Sequence, residues 1–436
     1  MTQKKQPHQI YMDITQLVHW SGRITGIPRV MYELAIRLQR DQPDTVFVSW
    51  VKELNALCEV DLTKSLDEKR PVYVRTTPDH ENVTATPEST QPTLMHHAKR
   101  IVKASLKRGA RVSPRLAQKL ESRLVAAHLN GVKRADMQPG DTIFIPWGEW
   151  WDERFTACLI RHKEQGVRLV QVIHDVGTTV WPQFFEQVEV TPESYNSQIV
   201  PAADLVLAVS KNTKKELIEW LKREKLHVPK VEVFRLGDEL HVAKPVKPED
   251  PRFKESGLKG QDYILAVGTI EAKKNHMIFY YVYKLAKVRG IKLPKLVVVG
   301  RRGWLTEQAY ALMTLDPEVK DDIVFLHNAS DEELSWLYDH CLFTVLASFH
   351  EGWGIPIAES LGRGVPCISG GTSSMVEIAE GLVGHFSPAS SDECLAAIQK
   401  LLKPQELEAA RNRVKSYKNH TWDESAQQVI KMMKEL

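Results

Sequence analysis

The chain has 436 residues, 43% of them hydrophobic, and its 58 basic and 55 acidic side chains leave a net charge of +3. This length allows two or three domains with buried cores, and the near-neutral balance excludes a polyelectrolyte. No apolar run approaches the ~20 residues that span a bilayer, and residues 1–9 lack the apolar stretch of a signal peptide. Five scattered cysteines without zinc-type spacing predict reduced thiols in a cytoplasmic protein.

The first half of the chain alternates short apolar runs with helical patterns. Strands are predicted at residues 9–13, 46–50, 141–146, 167–175 and 205–210, and a helix at residues 29–38. The loop between the first strand and this helix contains the sequence T-G-I-P-R, Thr25–Arg29. Such alternation indicates parallel strands that are joined by helical crossovers.

Two unusual segments interrupt this pattern. Residues 76–93 are rich in Thr, Pro and acidic residues and predict a loop, and residues 99–134, the basic segment, predict amphipathic helices. A basic face of this kind suits an anionic membrane, at ~1 kcal/mol per cation near the surface. A solvated helical hairpin is the alternative, and nothing else resembles a nucleic-acid module. Its cations include nine between residues 99 and 123, Lys99, Arg100, Lys103, Lys107, Arg108, Arg111, Arg115, Lys119 and Arg123.

A stretch of Pro, Lys and Glu at residues 241–260 predicts a linker, after which the alternation restarts. Strands are predicted at residues 263–268, 296–300, 323–326, 343–346 and 365–369, with helices at 275–288 and 331–340. The predicted architecture is α/β: two doubly wound, Rossmann-like domains, residues 1–240 and 261–420, that face each other across a cleft. The first carries a basic helical insertion near residues 95–135. A C-terminal helix is predicted at residues 421–436, and the sequence allows it to cross back and pack on the first domain or to stay with the second.

The most informative stretch runs from His350 to Ser369 and reads H-E-G-W-G-I-P-I-A-E-S-L-G-R-G-V-P-C-I-S. Glu351 is predicted on a loop after a strand, and Glu359, with seven residues between them, on the helix that follows. Pro356 suits the first turn of that helix, because the N–H that proline lacks has no intrahelical partner there. A helix N-terminus binds anions, and carboxylates bind hydroxyls. Together they predict a ligand with phosphates and hydroxyls, such as a sugar nucleotide.

This segment resembles the E-x7-E motif of the retaining glycosyltransferases of family 4, which have the GT-B fold. Two further stretches are similar to the same family, Y-I-L-A-V-G-T-I-E-A-K-K-N-H at residues 263–276 and L-V-V-V-G-R-R-G-W at residues 296–304. The likeness extends from about residue 262 to residue 422. It is closest to bacterial mannosyl- and rhamnosyltransferases that build surface polysaccharides such as O-antigen, lipopolysaccharide and capsule.

The resemblance implies a chemistry. The protein would transfer a hexose, mannose or a similar sugar, from a nucleotide sugar such as GDP-mannose to a saccharide acceptor. The anomeric configuration of the sugar would be retained. No metal and no other cofactor would be needed. The acceptor would be a saccharide, and a lipid-linked one would explain the basic segment best. The protein would be cytoplasmic, with peripheral attachment to the inner membrane as a further option, and nucleic acid is not expected as a partner.

The resemblance also assigns the central residues. Lys273 and Lys274 would grip the diphosphate, with lysine at the first position where the family usually has arginine. Glu351 would face the donor sugar, and Glu359 would hold the ribose hydroxyls. His174, at the carboxyl end of a predicted strand, would face the donor, whereas a structural histidine is the alternative. Glu351, Lys274 and His174 are the predicted catalytic residues.

Four more residues are predicted on the donor side, all in loops. Gly268 follows a strand of the second half, and Gly26 would allow close approach of the backbone to the diphosphate. Arg301 would contact phosphate or acceptor, or else remain a surface charge. Asn328 ends the stretch where, by the resemblance, the nucleobase docks.

Two residues are predicted on the acceptor side. Trp150 belongs to the stretch Trp147–Trp151, whose tryptophans beside a carboxylate suit stacking on a sugar; packing in a core is the alternative. Arg29 would add a cation near the diphosphate and the acceptor, whereas a plain helix start is nearly as good an interpretation.

Three other functions are alternatives to sugar transfer. A sugar-nucleotide epimerase on the same fold would not need a basic acceptor arm. A catalytically degenerate GT-B subunit of an assembly would not need Lys274, Glu351 and Glu359. An NAD oxidoreductase is disfavoured, because no G-x-G-x-x-G follows the first strand of either half.

Overall fold

The computed structural model describes residues 8–20, 23–75, 129–185, 192–240, 258 and 260–436. The predicted loop at 76–93, the nine cations of the basic segment and most of the predicted linker at 241–260 therefore lie outside the described residues.

The strands described in the first half form one seven-stranded sheet in the order β3-β2-β1-β4-β5-β6-β7. All neighbours pair in parallel except β3, which runs antiparallel to β2, so the expectation of parallel strands alone was wrong there. The cause is the short turn of residues 52–55, which only an antiparallel hairpin can use. The strands are β1 (Ile10–Asp13), β2 (Val46–Val51), β3 (Ala56–Glu59), β4 (Thr142–Ile145), β5 (Arg168–Ile173), β6 (Leu205–Ala208) and β7 (Val231–Val233).

Helices pack on both faces of this sheet. The longest, α2, begins two residues before the predicted start, because Pro28 occupies its first turn, where the missing N–H costs nothing. Its Met31, Leu34 and Leu38 are buried in the core. The helices described in this half are α1 (Thr15–His19), α2 (Ile27–Asp41), α3 (Leu62–Glu68), α4 (Glu153–Glu164), α5 (Gly177–Val180), α6 (Pro192–Ala202) and α7 (Lys211–Arg223).

The strands described in the second half form a parallel sheet of six in the order β10-β9-β8-β11-β12-β13. They are β8 (Tyr263–Val267), β9 (Lys295–Val299), β10 (Ile323–Leu326), β11 (Thr344–Leu346), β12 (Cys367–Gly370) and β13 (Gly384–Phe386). The accompanying helices are α8 (Met277–Val288), α9 (Glu307–Leu315), α10 (Asp331–His340), α11 (Ile355–Gly362), α12 (Ser391–Leu401) and α13 (Pro404–Val414). No described helix has both the length and the apolar character that crossing a membrane requires.

The last helix, α14 (Trp422–Lys434), lies on the first half of the chain. Its Trp422 and Val429 share a buried core with Leu34 and Leu38 of α2. Asp423 adds ion pairs with two arginines of α2, Arg37 at 2.5 Å and Arg40 at 3.1 Å. The chain therefore ends by fastening its second half to its first.

Candidate functional site

The order of the second sheet reverses between β8 and β11, and the loops after these two strands meet there. Ligands of open α/β sheets bind at such a switch point, beyond the carboxyl ends of the strands. The backbones at this edge are crowded: a Cβ on Gly300 would lie 1.9 Å from the carbonyl oxygen of Gly268. Gly268 itself has a φ of +149°. Glycine at both positions lets the loops after β8 and β9 lie in contact.

A buried ion pair joins the loops on either side of the switch point. Nζ of Lys274 donates to both carboxylate oxygens of Glu351, at 2.5 and 2.7 Å. Ser348 Oγ donates to the same carboxylate at 2.6 Å, and Ser373 Oγ accepts from the Glu351 N–H at 2.9 Å. Burial raises the pKa of Glu351, but Lys274 and Lys273 outweigh it and hold this pKa below its usual value. The site therefore holds a fixed cation beside an ionised carboxylate.

The lysine pair lies on a 3-10 turn, Ala272–Lys274, and the next helix begins at Met277, two residues after its predicted start at Asn275. Asn275 adopts a left-handed conformation with φ 56°. Its side-chain amide donates to the carbonyl oxygens of Ala347 at 3.1 Å and Pro388 at 2.7 Å. Asn275 therefore ties the lysine turn to the rest of the second domain.

Lys273 crosses the cleft. Its Nζ donates to Oδ2 of Asp175 at 2.9 Å and lies 5.4 Å from the centre of the Phe185 ring. Burial raises the pKa of Asp175, yet Lys273 and His350 lower it more, so this pKa lies well below the usual range. Asp175 was not among the predicted site residues. Its signal was present in the sequence, since it directly follows His174 at the end of a strand.

His174 lies where the first domain meets the Glu351 loop. Strand β5 ends at Ile173, two residues earlier than predicted, so His174 begins the loop. Its Nε2 lies 2.8 Å from the carbonyl oxygen of Pro146, which requires that this nitrogen donate. Burial lowers the pKa of His174 and favours the neutral ring. A Cβ on Gly352 would lie 1.8 Å from the carbonyl oxygen of His174, so the two loops touch.

Glu359 is tied to the first domain through Arg29. The guanidinium of Arg29 donates to Glu359 at 3.0 Å and to Asp331 at 2.6 Å, and Tyr338 OH donates to the other Glu359 oxygen at 2.9 Å. Burial raises the pKa of Glu359 despite the arginine. Arg29, predicted beside the acceptor, thus contacts the residue predicted for the ribose. Gly26, just before α2, has a φ of 60°, a conformation that favours glycine.

An aromatic group lies at the carboxyl end of β10. The rings of Phe325 and His327 stack, and Tyr310 OH lies 3.1 Å from Nε2 of His327. Arg302 lies over the Tyr310 ring, with 4.8 Å between the guanidinium carbon and the ring centre. Asn328 follows on the exposed side. The sequence pointed to this strand end but not to the aromatic rings, since Tyr310 comes from α9.

The tryptophans of the first domain separate into two groups. Trp147 packs on Trp20, with 6.4 Å between ring centres, and Arg301 of the second domain lies 4.8 Å over the Trp20 ring. Trp150 packs edge-on against Trp151 and against the core of the first domain. Trp20, which was not predicted, therefore lies at the cleft with Trp147, which also packs against a core of the first domain, and an acceptor role of Trp150 stays a prediction. In the parts of the chain that the structure describes, no three His, Cys, Asp or Glu side chains are grouped as a metal site requires.

Comparisons with known sequences place this geometry among sugar transferases. Residues 248–420 match the family described as "Glycosyl transferases group 1". The serotype-specific mannosyltransferase WbdA of Escherichia coli is 24% identical over 268 residues, which cover 60% of this chain and 33% of the relative. The O-antigen chain mannosyltransferase B of Escherichia coli is 26% identical over 276 residues, 61% of this chain and 70% of the relative. The chain thus spans about a third of the length of WbdA.

Solved structures match over nearly the whole chain. Sucrose-phosphate synthase from Thermosynechococcus elongatus has a TM-score of 0.61 at 14% identity and covers 98% of this chain and 99% of its own. Anabaena HepE, in complex with UDP and glucose, has a TM-score of 0.61 at 15% identity, with 99% and 100% covered. At such identities the likeness concerns the fold. The chain has the GT-B fold, and residues 248–420 match the model of the group 1 glycosyl transferases.

Proposed function

We propose that the chain is a retaining, metal-independent hexosyltransferase. It moves mannose or a similar hexose from a nucleotide sugar to a saccharide acceptor during assembly of a bacterial surface polysaccharide. The observation that carries the proposal is the buried Lys274–Glu351 pair at the switch point of the second sheet. The names of the O-antigen mannosyltransferases to which the chain is similar support the sugar class.

The charges at the switch point suit the departure of a diphosphate. Breaking the bond between sugar and phosphate leaves extra negative charge on the leaving group, and cations fixed beforehand stabilise that charge more than the ground state. Lys273 and Lys274 supply such cations, and Glu351 orients the sugar. Glu359 is the acceptor of hydrogen bonds from the ribose hydroxyls. The incoming hydroxyl attacks on the face that the phosphate leaves, and the phosphate takes up its proton.

A thermal-shift screen against nucleotide sugars tests the proposal. A donor present at 100 times its Kd is expected to stabilise the fold by ~2.7 kcal/mol. GDP-mannose, UDP-glucose and the free diphosphates form the panel. NMR of the product of the best donor then reads the anomeric configuration, where inversion would contradict the retaining assignment. Conversion of the donor sugar without an acceptor would indicate an epimerase, and no shift with any nucleotide would overturn the proposal.

Removal of divalent metal is expected to leave turnover unchanged. Lys273 and Lys274 already place two cations beside the predicted diphosphate position, so no further cation is needed to balance its charge. Initial rates with and without EDTA measure this. Complete loss of activity in EDTA that Mg²⁺ or Mn²⁺ restores would refute the metal-independent part of the proposal.

Docking of the basic segment on a membrane stays a prediction, because the nine cations between Lys99 and Arg123 lie outside the described residues. We expect the protein to sediment with anionic vesicles at low salt and to be released as salt shortens the Debye length, ~10 Å at 0.1 M. Changing Lys103, Lys107, Arg108 and Arg111 to Gln should release it while transfer to a short, freely dissolved acceptor persists. Neutral vesicles are the control. If the wild type does not sediment with anionic vesicles at low salt, docking is ruled out, and with it peripheral attachment to the cytoplasmic face of the inner membrane.

A further inference from the structure

The first sheet has a switch point of its own, between β1 and β4, and two buried carboxyls lie there. Asp13 ends β1 and is 0% exposed, and Glu149, in the loop after β4, is 6% exposed. Within the described parts of the chain, neither carboxyl is in an ion pair. Burial of uncompensated acids costs stability, so a pair of them at a ligand-binding edge calls for a functional reason.

Each carboxyl has one oxygen that accepts no hydrogen bond from any residue that the structure describes. Asp13 accepts through Oδ1 from the N–H and the hydroxyl of Thr15, whereas its buried Oδ2 has no partner among the described residues. The side-chain amide of Gln16 donates to Oε1 of Glu149, and no described group donates to Oε2. Burial raises the pKa of Asp13 to about 7, and burial together with the charge of Asp13 raises that of Glu149 to about 8. These open oxygens suit the hydroxyls of a ligand, which can both donate and accept hydrogen bonds.

An aromatic wall comes from the same two segments of chain. Trp20 follows α1, the helix that contains Gln16, and Trp147 precedes Glu149 by two residues. Arg301 reaches over Trp20 from the second domain, so the wall faces the cleft. Flat apolar rings beside a few fixed polar groups are the usual composition of a small-molecule site.

This group of residues lies close to the donor side. The carbonyl of Pro146, one residue before Trp147, accepts the hydrogen bond from His174 at 2.8 Å. The backbone of His174 in turn touches Gly352, the neighbour of Glu351. The loop of Glu149 is therefore connected to the loop of Glu351 through one hydrogen bond and one backbone contact.

We propose that Gln16, Trp20, Trp147 and Glu149, with the buried Asp13 beside Glu149, form the subsite for the terminal sugar of the acceptor. A hexopyranose lies on the tryptophan wall, and one of its hydroxyls forms a hydrogen bond with the open oxygen of Glu149, which carries the proton at neutral pH and donates. Glu149 and Gln16 hold the acceptor in position, and the acceptor class is a hydroxyl-rich hexoside. The inference rests on the proposed function, because it assigns the second substrate of the same reaction.

Binding of methyl α-mannoside tests the subsite by saturation-transfer NMR, in the presence of the nucleoside diphosphate that gives the largest thermal shift. Glu149→Ala and Trp20→Ala are each expected to weaken mannoside binding ~10-fold or more, which corresponds to ~1.4 kcal/mol for a lost hydrogen bond to a carboxyl or a lost ring contact. Glu149→Gln should retain most of the binding, since the amide N–H can still donate to a hydroxyl as the protonated carboxyl does. Trp151→Ala is the matched control, because Trp151 is 44% exposed on the same loop but outside the wall.

Nucleoside diphosphate binding must be unchanged in every variant, which separates loss of the subsite from loss of the fold. Wild-type mannoside affinity in both Glu149→Ala and Trp20→Ala would overturn the assignment. So would a wild type that binds the nucleotide but no mannoside. A chain that binds no nucleotide at all would refute the proposed function first, and the subsite with it.

Discussion

Replacing Lys274 or Glu351 by alanine is expected to lower turnover ~10²–10³-fold, the usual cost of losing one preorganised charge contact. The two side chains form one ion pair, so each substitution also leaves the other buried charge without its partner. Some loss of thermal stability should accompany the loss of rate, while circular dichroism still reports a folded protein. Turnover and melting temperature measured on the same preparations test this.

Lys292→Ala is the matched control for this experiment, since Lys292 is an exposed lysine of the same domain. It should behave as wild type. The double variant Lys274→Ala with Glu351→Ala should cost less than the sum of the single effects, because residues in direct contact are not additive. Near-normal turnover in either folded single variant would remove the catalytic assignment.

Arg29→Ala is expected to destabilise the fold by ~3–5 kcal/mol, the typical cost of removing one partner of a buried ion pair. The substitution leaves Glu359 and Asp331 without their shared cation. Denaturant unfolding measures the change. Arg23→Ala is the control, because Arg23 is an exposed arginine of the same loop region.

The loss caused by Arg29→Ala should depend on pH. Burial already raises the pKa of Glu359, and without Arg29 that pKa rises further. Between the pKa of Glu359 in the unfolded state and its higher pKa in the folded state, the folded state binds more protons. The stability of the variant therefore falls as pH rises through that interval and recovers as pH falls. Unfolding at pH 5 and at pH 8 measures the difference, and Glu359→Gln in the same background should abolish it. A pH-independent loss would show that packing, and not charge, is what Arg29 contributes.

The sequence predicted elements where local signals were strong. Strand β10 and helix α10 have the predicted bounds, and a capping box of Ser330 and Glu333 explains the sharp start of α10. Strand β3 was missed, because four residues without alternation look like part of a loop. Local signals also misplaced Asn275. Asparagine is common at helix starts, so the helix was predicted to begin there, but the side chain binds Ala347 and Pro388, which are far along the chain.

The candidate site was predictable as far as its motifs are local. Lys273, Lys274 and the two glutamates were predicted because the short stretches that contain them resemble motifs of family 4. Their partners could not, because Arg29 reaches a residue 330 positions later and Asp175 reaches one 98 positions later. Contacts between two domains depend on how the domains face each other. Neither the hydrophobic period nor the secondary-structure propensity of a single segment contains that information.

The two ion pairs across the cleft have a consequence for the departure of the spent nucleotide. In the proposed roles, a diphosphate on Lys273 competes with Asp175, and a ribose on Glu359 competes with Arg29. When only a fraction of the protein molecules has these groups free, the apparent Kd for the nucleotide increases in inverse proportion to that fraction. Release of product limits turnover in many enzymes. Once the sugar has gone, the same two side chains re-form their pairs as the nucleotide leaves, so the protein has its own internal competitors for the product.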